Sequence, residues 1–219
     1  MDAEFLHALV HDLKGPVSRV RMLSELLVRR VGADGEADIL VRHIGTSVAA
    51  AESVLEGVRR YAEALALPFR GEELELAAAL EGALLRMKGR LAAAGAVVDS
   101  GALPRIRGDL AQMALLFEEL LANALRFRSA APPAITIRAE REDPHWWLLS
   151  VADNGVGLGD ADPTRIFQPL GKGHPCAGAG MGLAICSRIA ALHGGEIGAR
   201  PLSRGVEFRL RLPALHSAC

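Results

Sequence analysis

The chain has 219 residues, enough for one large domain or two small ones at about 150 residues per domain. Its 26 acidic and 25 basic side chains nearly cancel, so no whole-surface attraction to duplex nucleic acid or an anionic membrane is indicated. Apolar residues make up 50% and charged residues 23%, which excludes a disordered chain. No apolar run approaches the roughly 20 residues of a bilayer span, and the acidic start lacks the bases of a secretion signal. These features predict a cytoplasmic protein without a membrane segment.

Residues 2–66 have the spacing of two long amphipathic helices. Apolar residues from Leu6 to Leu27 step by three and four positions, the heptad spacing of a helix that packs along one seam. Pro16 lies on this seam and is expected to bend the helix, because proline removes an intrahelical hydrogen bond. The glycine-rich residues 32–35 predict a turn, and a second seam runs from Val41 to Leu65.

Two such helices joined by a tight turn form an antiparallel hairpin, and a lone hairpin would leave both apolar faces in water. Pairing two hairpins buries these faces in a four-helix bundle, so we predict a homodimer through residues 2–66. The alternative is that the hairpin packs on the rest of its own chain. Pro68 marks the change of pattern, so the predicted domains are 1–67 and 68–219.

The second domain mixes helical and strand-like patterns. Helices are predicted over 73–95, 110–128 and 181–192, the second with Asp109 as its N-cap. Strands are predicted over 97–98, 134–139, 146–151, 195–199 and 206–212. This order favours one mixed sheet with helices on one face. The predicted fold class is therefore α+β, with an N-terminal antiparallel helical hairpin followed by an α/β sandwich domain.

One helix of the second domain has a polar face that suits a ligand. Glu119 and Asn123 are four positions apart and share that face, and Arg126 extends it. Carboxylate and amide oxygens suit a hard cation such as Mg²⁺, and a guanidinium suits phosphate. The alternative is a polar helix face that is simply solvated.

Two glycine-rich stretches add to this pattern. Asp153 follows a predicted strand, where a carboxylate can accept a hydrogen bond from an exocyclic amine and neighbouring glycines let the backbone approach a ligand. The second stretch opens a helix, and exposed amides at a helix start bind phosphate. Taken alone, each has an ordinary alternative, a simple turn or a lone glycine loop. The residues selected here are Gly155, Gly157, Gly178, Gly180, Gly182 and Leu183.

Together, in this order and at these spacings, these stretches resemble the ATP-binding superfamily that joins gyrase, MutL, the heat-shock chaperone ATPases and histidine kinases. The similar segments are 119–123 for the N box, 153–157 for the first glycine box, 165–170 for the F box and 178–182 for the second glycine box. The resemblance covers residues 72–213. Residues 11–16, His-Asp-Leu-Lys-Gly-Pro, resemble the phosphoacceptor box of histidine kinases, in a form similar to the kinase modules of bacterial phytochromes.

The resemblance implies that His11 attacks the γ-phosphate of ATP while Asp12 orients or deprotonates the ring. The phosphoryl group then passes to an aspartate of a response-regulator receiver domain. The heptad agrees, since with Leu6 at position a His11 falls at position f, facing water. Gly15 stands where phosphatase-active kinases carry Thr or Asn, so efficient dephosphorylation of the regulator is not expected.

The resemblance also implies the cofactor ligands. Asn123 would hold Mg²⁺ with help from Glu119, Arg126 would contact phosphate, and Asp153 would read the adenine amine. The backbone at 178–183 would cradle phosphate.

Residues 170–177 resemble the lid over ATP, with Gly171 and Gly173 as hinges. Lys172 in it either reaches the γ-phosphate or is a solvated loop lysine. Two other functions stay open: a dimeric phosphotransfer or scaffold protein with a non-catalytic ATP domain, and a hydrolytic ATPase, suggested by Glu119. Because the hairpin and the ATP domain fill the chain, the input is expected from a separate protein or an upstream sensor region.

Overall fold

The structure is a computed structural model that describes residues 3–31, 35–66, 68–169 and 180–215. The chain divides into two compact units, Met1–Ala66 and Leu67–Cys219. In the described part of the chain, no helix is both long enough and apolar enough to cross a membrane.

The first unit is a pair of helices, α1 (Ala3–Val31) and α2 (Gly35–Ala66). Two long helices in this region are as predicted from the seams. Gly35 was predicted to belong to the turn but is the first residue of α2, while residues 32–34 lie outside the described residues. Helix α1 continues through Pro16, so the hydrogen bond that proline removes does not end the helix.

Contact between α1 and α2 buries only part of their apolar surface. Val10, Val41 and Val48 are buried. Other large apolar side chains of this unit are exposed in the single chain: Leu13, Val20, Met22, Leu23, Leu26, Leu27, Ile39, Leu40 and Ile44. Val20, Leu40 and Ile44 line one apolar groove between the two helices, and exposed apolar surface of this kind is typical of an interface.

The second unit contains a five-stranded mixed sheet. Its strands are β2 (Val97–Ser100), β4 (Ala134–Asp143), β5 (Trp146–Asp153), β6 (Glu196–Pro201) and β7 (Val206–Pro213). Their spatial order is β2-β4-β5-β7-β6, with β2 parallel to β4 and every other pair antiparallel. Each of these strands contains most of one segment that is predicted to be a strand from its alternating apolar and polar residues.

A second, two-stranded sheet was not predicted. It pairs β1 (Glu72–Glu75) with β3 (Arg105–Gly108), and it places buried Leu74 opposite buried Ile106. The helix predicted over 73–95 was therefore wrong in its first turn. Glu and Leu favour helix locally, but hydrogen bonds to a strand about thirty residues further along override that preference.

The described residues of this unit also include three helices, α3 (Leu76–Ala93), α4 (Leu110–Arg126) and α5 (Gly182–Leu192), and a 3₁₀ turn at Arg165–Phe167. The N-cap prediction for Asp109 is confirmed, since its carboxylate accepts hydrogen bonds from the amides of Ala111 and Gln112 at 3.0 and 3.1 Å. Helix α4 ends at Arg126, two residues earlier than predicted.

The core lies between the three helices and one face of the five-stranded sheet. Alternate sheet residues are buried on this face, among them Ile135, Ile137, Leu149, Val151, Phe208 and Leu210. The helices contribute buried side chains that include Phe117, Leu120, Leu121, Ile185 and Ile189. On the opposite face the pairing places charged residues side by side, such as Arg138 with Asp99 and Arg200 with Glu207. This is the predicted α+β sandwich with helices on one face of a mixed sheet.

Candidate functional site

Helix α4 carries the polar face predicted from the sequence, and the structure buries most of it. Glu119 is only 4% exposed and Asn123 only 7% exposed, whereas Arg126 in the last turn is exposed. Charged and amide side chains are seldom this deeply buried unless they have partners. The alternative of a merely solvated helix face therefore does not describe Glu119 and Asn123.

Asn123 has an unmet hydrogen-bond requirement. Its Nδ2 is buried and has no hydrogen-bond partner among the residues that the structure describes. Leaving such a donor unpaired costs about 1–3 kcal/mol, and a ligand that accepts a hydrogen bond there removes that cost. The carboxamide can also present its oxygen to a cation, so this residue suits a bound anion with its metal ion.

Glu119 faces the first residue of α5. A Cβ atom on Gly182 would lie 2.5 Å from Glu119 Oε2, so any larger residue would require the Glu119 carboxylate to move. Leu183, the next residue, is half-buried, and Gly180 before the helix has a φ of 63°. The glycine-rich start of α5 thus lies against the polar face of α4, as phosphate binding at that helix start requires.

Asp153 ends β5 and begins the loop that packs against the end of α4. Its Oδ1 accepts a hydrogen bond from the Gly155 amide at 2.8 Å, and the Val156 amide donates to the Phe127 carbonyl at 2.9 Å. A side chain on Gly155 would overlap that same carbonyl. Gly157 has a φ of 75°, a conformation that favours glycine. The loop is therefore fixed to α4 one turn beyond Asn123.

Burial raises the pKa of the Asp153 carboxyl above its ordinary value, and hydrogen bonds from the backbone amides of Gly155 and Val206 act in the opposite direction. The burial effect is the larger one. The ionised form of Asp153 is thus held at a cost to stability, which is common for residues whose role is chemical.

Two further residues of this region were not selected from the sequence. Gly205 lies against Asp153, because a Cβ there would overlap the Asp153 carbonyl, and Val206 donates its backbone amide to the carboxylate. His193, the residue after α5, is buried beneath the N-cap of α4. A contact between residues fifty positions apart leaves no local signal in the sequence, which is why Gly205 was missed.

Several predicted site residues are not placed by the structure. Lys172, Gly178 and the proposed hinges Gly171 and Gly173 lie outside the described residues. His11 and Asp12 belong to α1, in the first unit, and their side chains are also outside the described part. Within the described residues, no group of three or more His, Cys, Asp or Glu side chains could hold a metal ion by itself.

Comparison with known families identifies the second unit. Residues 108–216 match the family described as histidine kinase-, DNA gyrase B- and HSP90-like ATPases. The chain is also 34% identical over 218 residues to cyanobacterial phytochrome A of Nostoc sp., covering 96% of this chain and 28% of that protein. It is 31% identical over 224 residues to the sensor protein TorS of Escherichia coli, covering 95% of this chain and 24% of that protein. The chain belongs to the sensor histidine kinase family, of which it carries the catalytic core.

Solved structures support the same fold over both units of this histidine kinase core. The full-length structure of ShkA in complex with AMPPNP has a TM-score of 0.67 and 25% identity, covering 100% of this chain and 47% of that chain. The Acinetobacter baumannii histidine kinase AdeS has a TM-score of 0.62 and 20% identity, covering 94% and 98% of the two chains. The chain spans about a quarter of the length of relatives such as cyanobacterial phytochrome A and TorS, of which it covers 28% and 24%.

The cost of holding Asp153 ionised leads to a prediction. Asp153→Asn keeps an oxygen that can accept from Gly155 and removes the buried charge, so the free energy of unfolding of the kinase core should rise at pH 7. The difference from the wild type should shrink as the pH falls to 4.5, because the raised pKa lets the folded wild type take up a proton there. Urea unfolding followed by tryptophan fluorescence measures this, since both tryptophans, Trp146 and Trp147, lie in the second unit. A variant less stable than the wild type at pH 7 would contradict the burial argument.

Proposed function

We propose that the chain is an ATP-dependent protein-histidine kinase. It phosphorylates His11 and then passes the phosphoryl group to an aspartate of a response-regulator receiver domain. The observation that carries this proposal is the half-buried Asp153 at the end of β5 and the buried Asn123 on α4, with the glycine-rich start of α5 against the same helix face. The membership of the chain in the sensor histidine kinases supports it.

ATP fits the residues of the site at both ends. Asp153 accepts from the exocyclic amine of adenine, with its Oδ1 already oriented by the Gly155 amide. The phosphates lie at the start of α5, where the free amides of the first turn point toward an anion. The buried, unpaired Nδ2 of Asn123 donates to the same anion. The complex of the structural relative ShkA with AMPPNP, an ATP analogue, supports this choice.

Asn123 and Glu119 are the proposed residues for Mg²⁺, because amide and carboxylate oxygens are the ligands that this ion prefers. When bound, Mg²⁺ neutralises charge on the transferring phosphoryl group. The buried Glu119 lies against Gly182, so we propose that it acts on the ion through water. Arg126, exposed at the end of α4, contacts phosphate, and Lys172 with Gly178 completes the phosphate side of the site.

His11 supplies the nucleophile. A neutral imidazole has a lone pair on one ring nitrogen. With an ordinary histidine pKa of about 6.5, most imidazole side chains are neutral near pH 7. The N–P bond forms as the bond between the γ-phosphorus and the bridging oxygen breaks, and ADP leaves. Asp12, the next residue, orients the ring and accepts the proton that the other ring nitrogen gives up.

The partners follow from the same proposal. A second copy of the chain covers the exposed apolar side chains of α1 and α2, giving a homodimer through residues 2–66. The proposed boundary, with a phosphoacceptor hairpin at 1–67 and an ATP-binding domain at 68–219, separates the two roles. Because ATP is an intracellular phosphoryl donor, the reaction takes place in the cytoplasm, and the receiver domain is its second substrate.

The phosphorylation step has a direct test. The protein is incubated with γ-labelled ATP and Mg²⁺, and the acid-labile, base-stable label is counted. We expect labelling of the wild type, loss of at least about 100-fold in His11→Gln because the nucleophile is absent, and a comparable loss in Asn123→Ala. The matched control is His43→Gln, a substitution of an exposed histidine on α2, which should label at the wild-type rate.

The outcomes separate the alternatives. No nucleotide binding by calorimetry would favour a scaffold protein with a non-catalytic ATP domain. Steady phosphate release that does not depend on His11 would favour a hydrolytic ATPase. Equal labelling of the wild type and His11→Gln would remove His11 from the reaction.

The dimer has its own test. Charge on the exposed apolar face should separate the two copies, so the double variant Leu23→Glu/Leu40→Glu is expected to halve the mass measured by light scattering at micromolar concentration. Leu85→Glu is the control, because Leu85 is 74% exposed on α3, in the other unit, and should leave the mass unchanged. A wild type that is already monomeric would contradict the dimer.

A further inference from the structure

Helices α4 and α5 lie antiparallel and contact each other at three levels. From one end to the other, the paired residues are His193 with Asp109, Cys186 with Leu116, and Gly182 with Glu119. Between the first and second levels the contacting residues on each helix are seven positions apart, about 10 Å at 1.5 Å per residue. Between the second and third levels they are four positions apart on α5 and three positions apart on α4. The three contacts therefore belong to a single axial register of one helix against the other.

His193 makes the contact furthest from the candidate site, and both of its ring nitrogens are used. Nε2 accepts a hydrogen bond from the Asp109 amide at 3.0 Å, and Nδ1 lies 2.8 Å from the Ile189 carbonyl. Because Nε2 is an acceptor, the proton of the neutral ring is on Nδ1 and is donated to Ile189. The ring thus gives the Ile189 carbonyl, which already accepts from the His193 amide at 3.1 Å, a second hydrogen bond, and it satisfies the amide at the N-cap of α4.

The surroundings of the ring leave it little room to move. His193 is 4% exposed, and the ring of Phe69 meets it edge to face at a centroid distance of 5.0 Å. A side chain on Gly108 would overlap the imidazole. Displacing the ring therefore requires movement of one of the two helices or of β3.

We propose that His193 is a positioning residue for the nucleotide: it fixes the axial register of α5 on α4 and so holds the phosphate-binding start of α5 against Glu119, one turn from Asn123. The proposal rests on the proposed function, and it states that part of the nucleotide affinity depends on the α4–α5 register. His193 itself is far from the nucleotide, since eleven residues of α5, about 16 Å, separate it from Gly182.

Protonation should disturb this register. A proton on Nε2 would turn this nitrogen into a donor. It would then point at another donor, the Asp109 amide, and the hydrogen bond between them would be lost. Burial lowers the pKa of His193, and the Asp109 carboxylate is the charged group that opposes this effect. The other groups named around the ring, on Phe69, Gly108 and Ile189, carry no charge. Because the unfolded chain takes up the proton first, the contribution of His193 to stability is complete above about pH 6.5 and falls below it.

The experiment measures the dissociation constant of ADP with Mg²⁺ at pH 7.5 and 20 °C by calorimetry, on variants whose melting curves show that they are folded. We expect His193→Leu, which removes both hydrogen bonds, to weaken binding at least about tenfold. His193→Gln, which keeps an uncharged acceptor near Asp109, should stay within about threefold of the wild type.

Gly108→Ala provides a second route that leaves the histidine in place. It pushes on the ring and should weaken ADP binding, whereas Gly198→Ala, where a Cβ meets nothing within 4 Å, is the matched control and should not. Wild-type affinity in both His193→Leu and Gly108→Ala would overturn the proposal and reduce His193 to a stability role. A wild type that binds no ADP would instead remove the proposed function. Amide exchange over 180–186 would then decide the register, with faster exchange in His193→Leu as the expected result and an unchanged rate as the contrary one.

Discussion

The second unit is arranged around a buried polar face on one helix. Glu119 and Asn123 lie within a helix whose other buried side chains are almost all apolar, and the donor of Asn123 has no partner within the described residues. Such a face is costly in a protein core, and two neighbouring features adapt to it. The first residue of α5 is glycine, and the loop after β5 is hydrogen-bonded to the end of α4. At the opposite end of α4, the N-cap is held by a histidine from the end of α5.

Some polar residues of the second unit stabilise the fold, and others reduce its stability. Asp109 and His193 stabilise the ends of α4 and α5, far from the polar face, whereas Asp153 is ionised at a cost and Asn123 is unpaired. On the proposed assignment, a bound nucleotide would relieve both costs, and its binding energy would include hydrogen bonds that the free protein does not make. On this account, affinity depends on rigid helix placement as much as on the residues that touch the ligand.

The sequence is sufficient for the parts of the structure that local patterns encode. Heptad seams predict α1 and α2, alternation predicts the strands of the main sheet, and Asp109 is a recognisable N-cap. Glu119 and Asn123 lie on one helix, and the loop after Asp153 is hydrogen-bonded to the end of that helix. What the sequence does not contain are pairings between distant segments: β1 with β3, Gly205 with Asp153, and His193 with Asp109. These depend on which surfaces meet after folding, and no spacing within a short window reports that.

The central claim is that nucleotide binds where α4, the loop after β5 and the start of α5 meet. Hydrogen–deuterium exchange of the whole chain with and without ADP and Mg²⁺ tests it most directly, because it locates binding without assuming which residue is essential. The account predicts slower exchange in peptides covering 119–127, 153–157 and 180–186, with β6 and the charged sheet face of β7 unchanged. Protection confined to that sheet face or to the hairpin, or saturating nucleotide binding with no protection at these three segments, would contradict it.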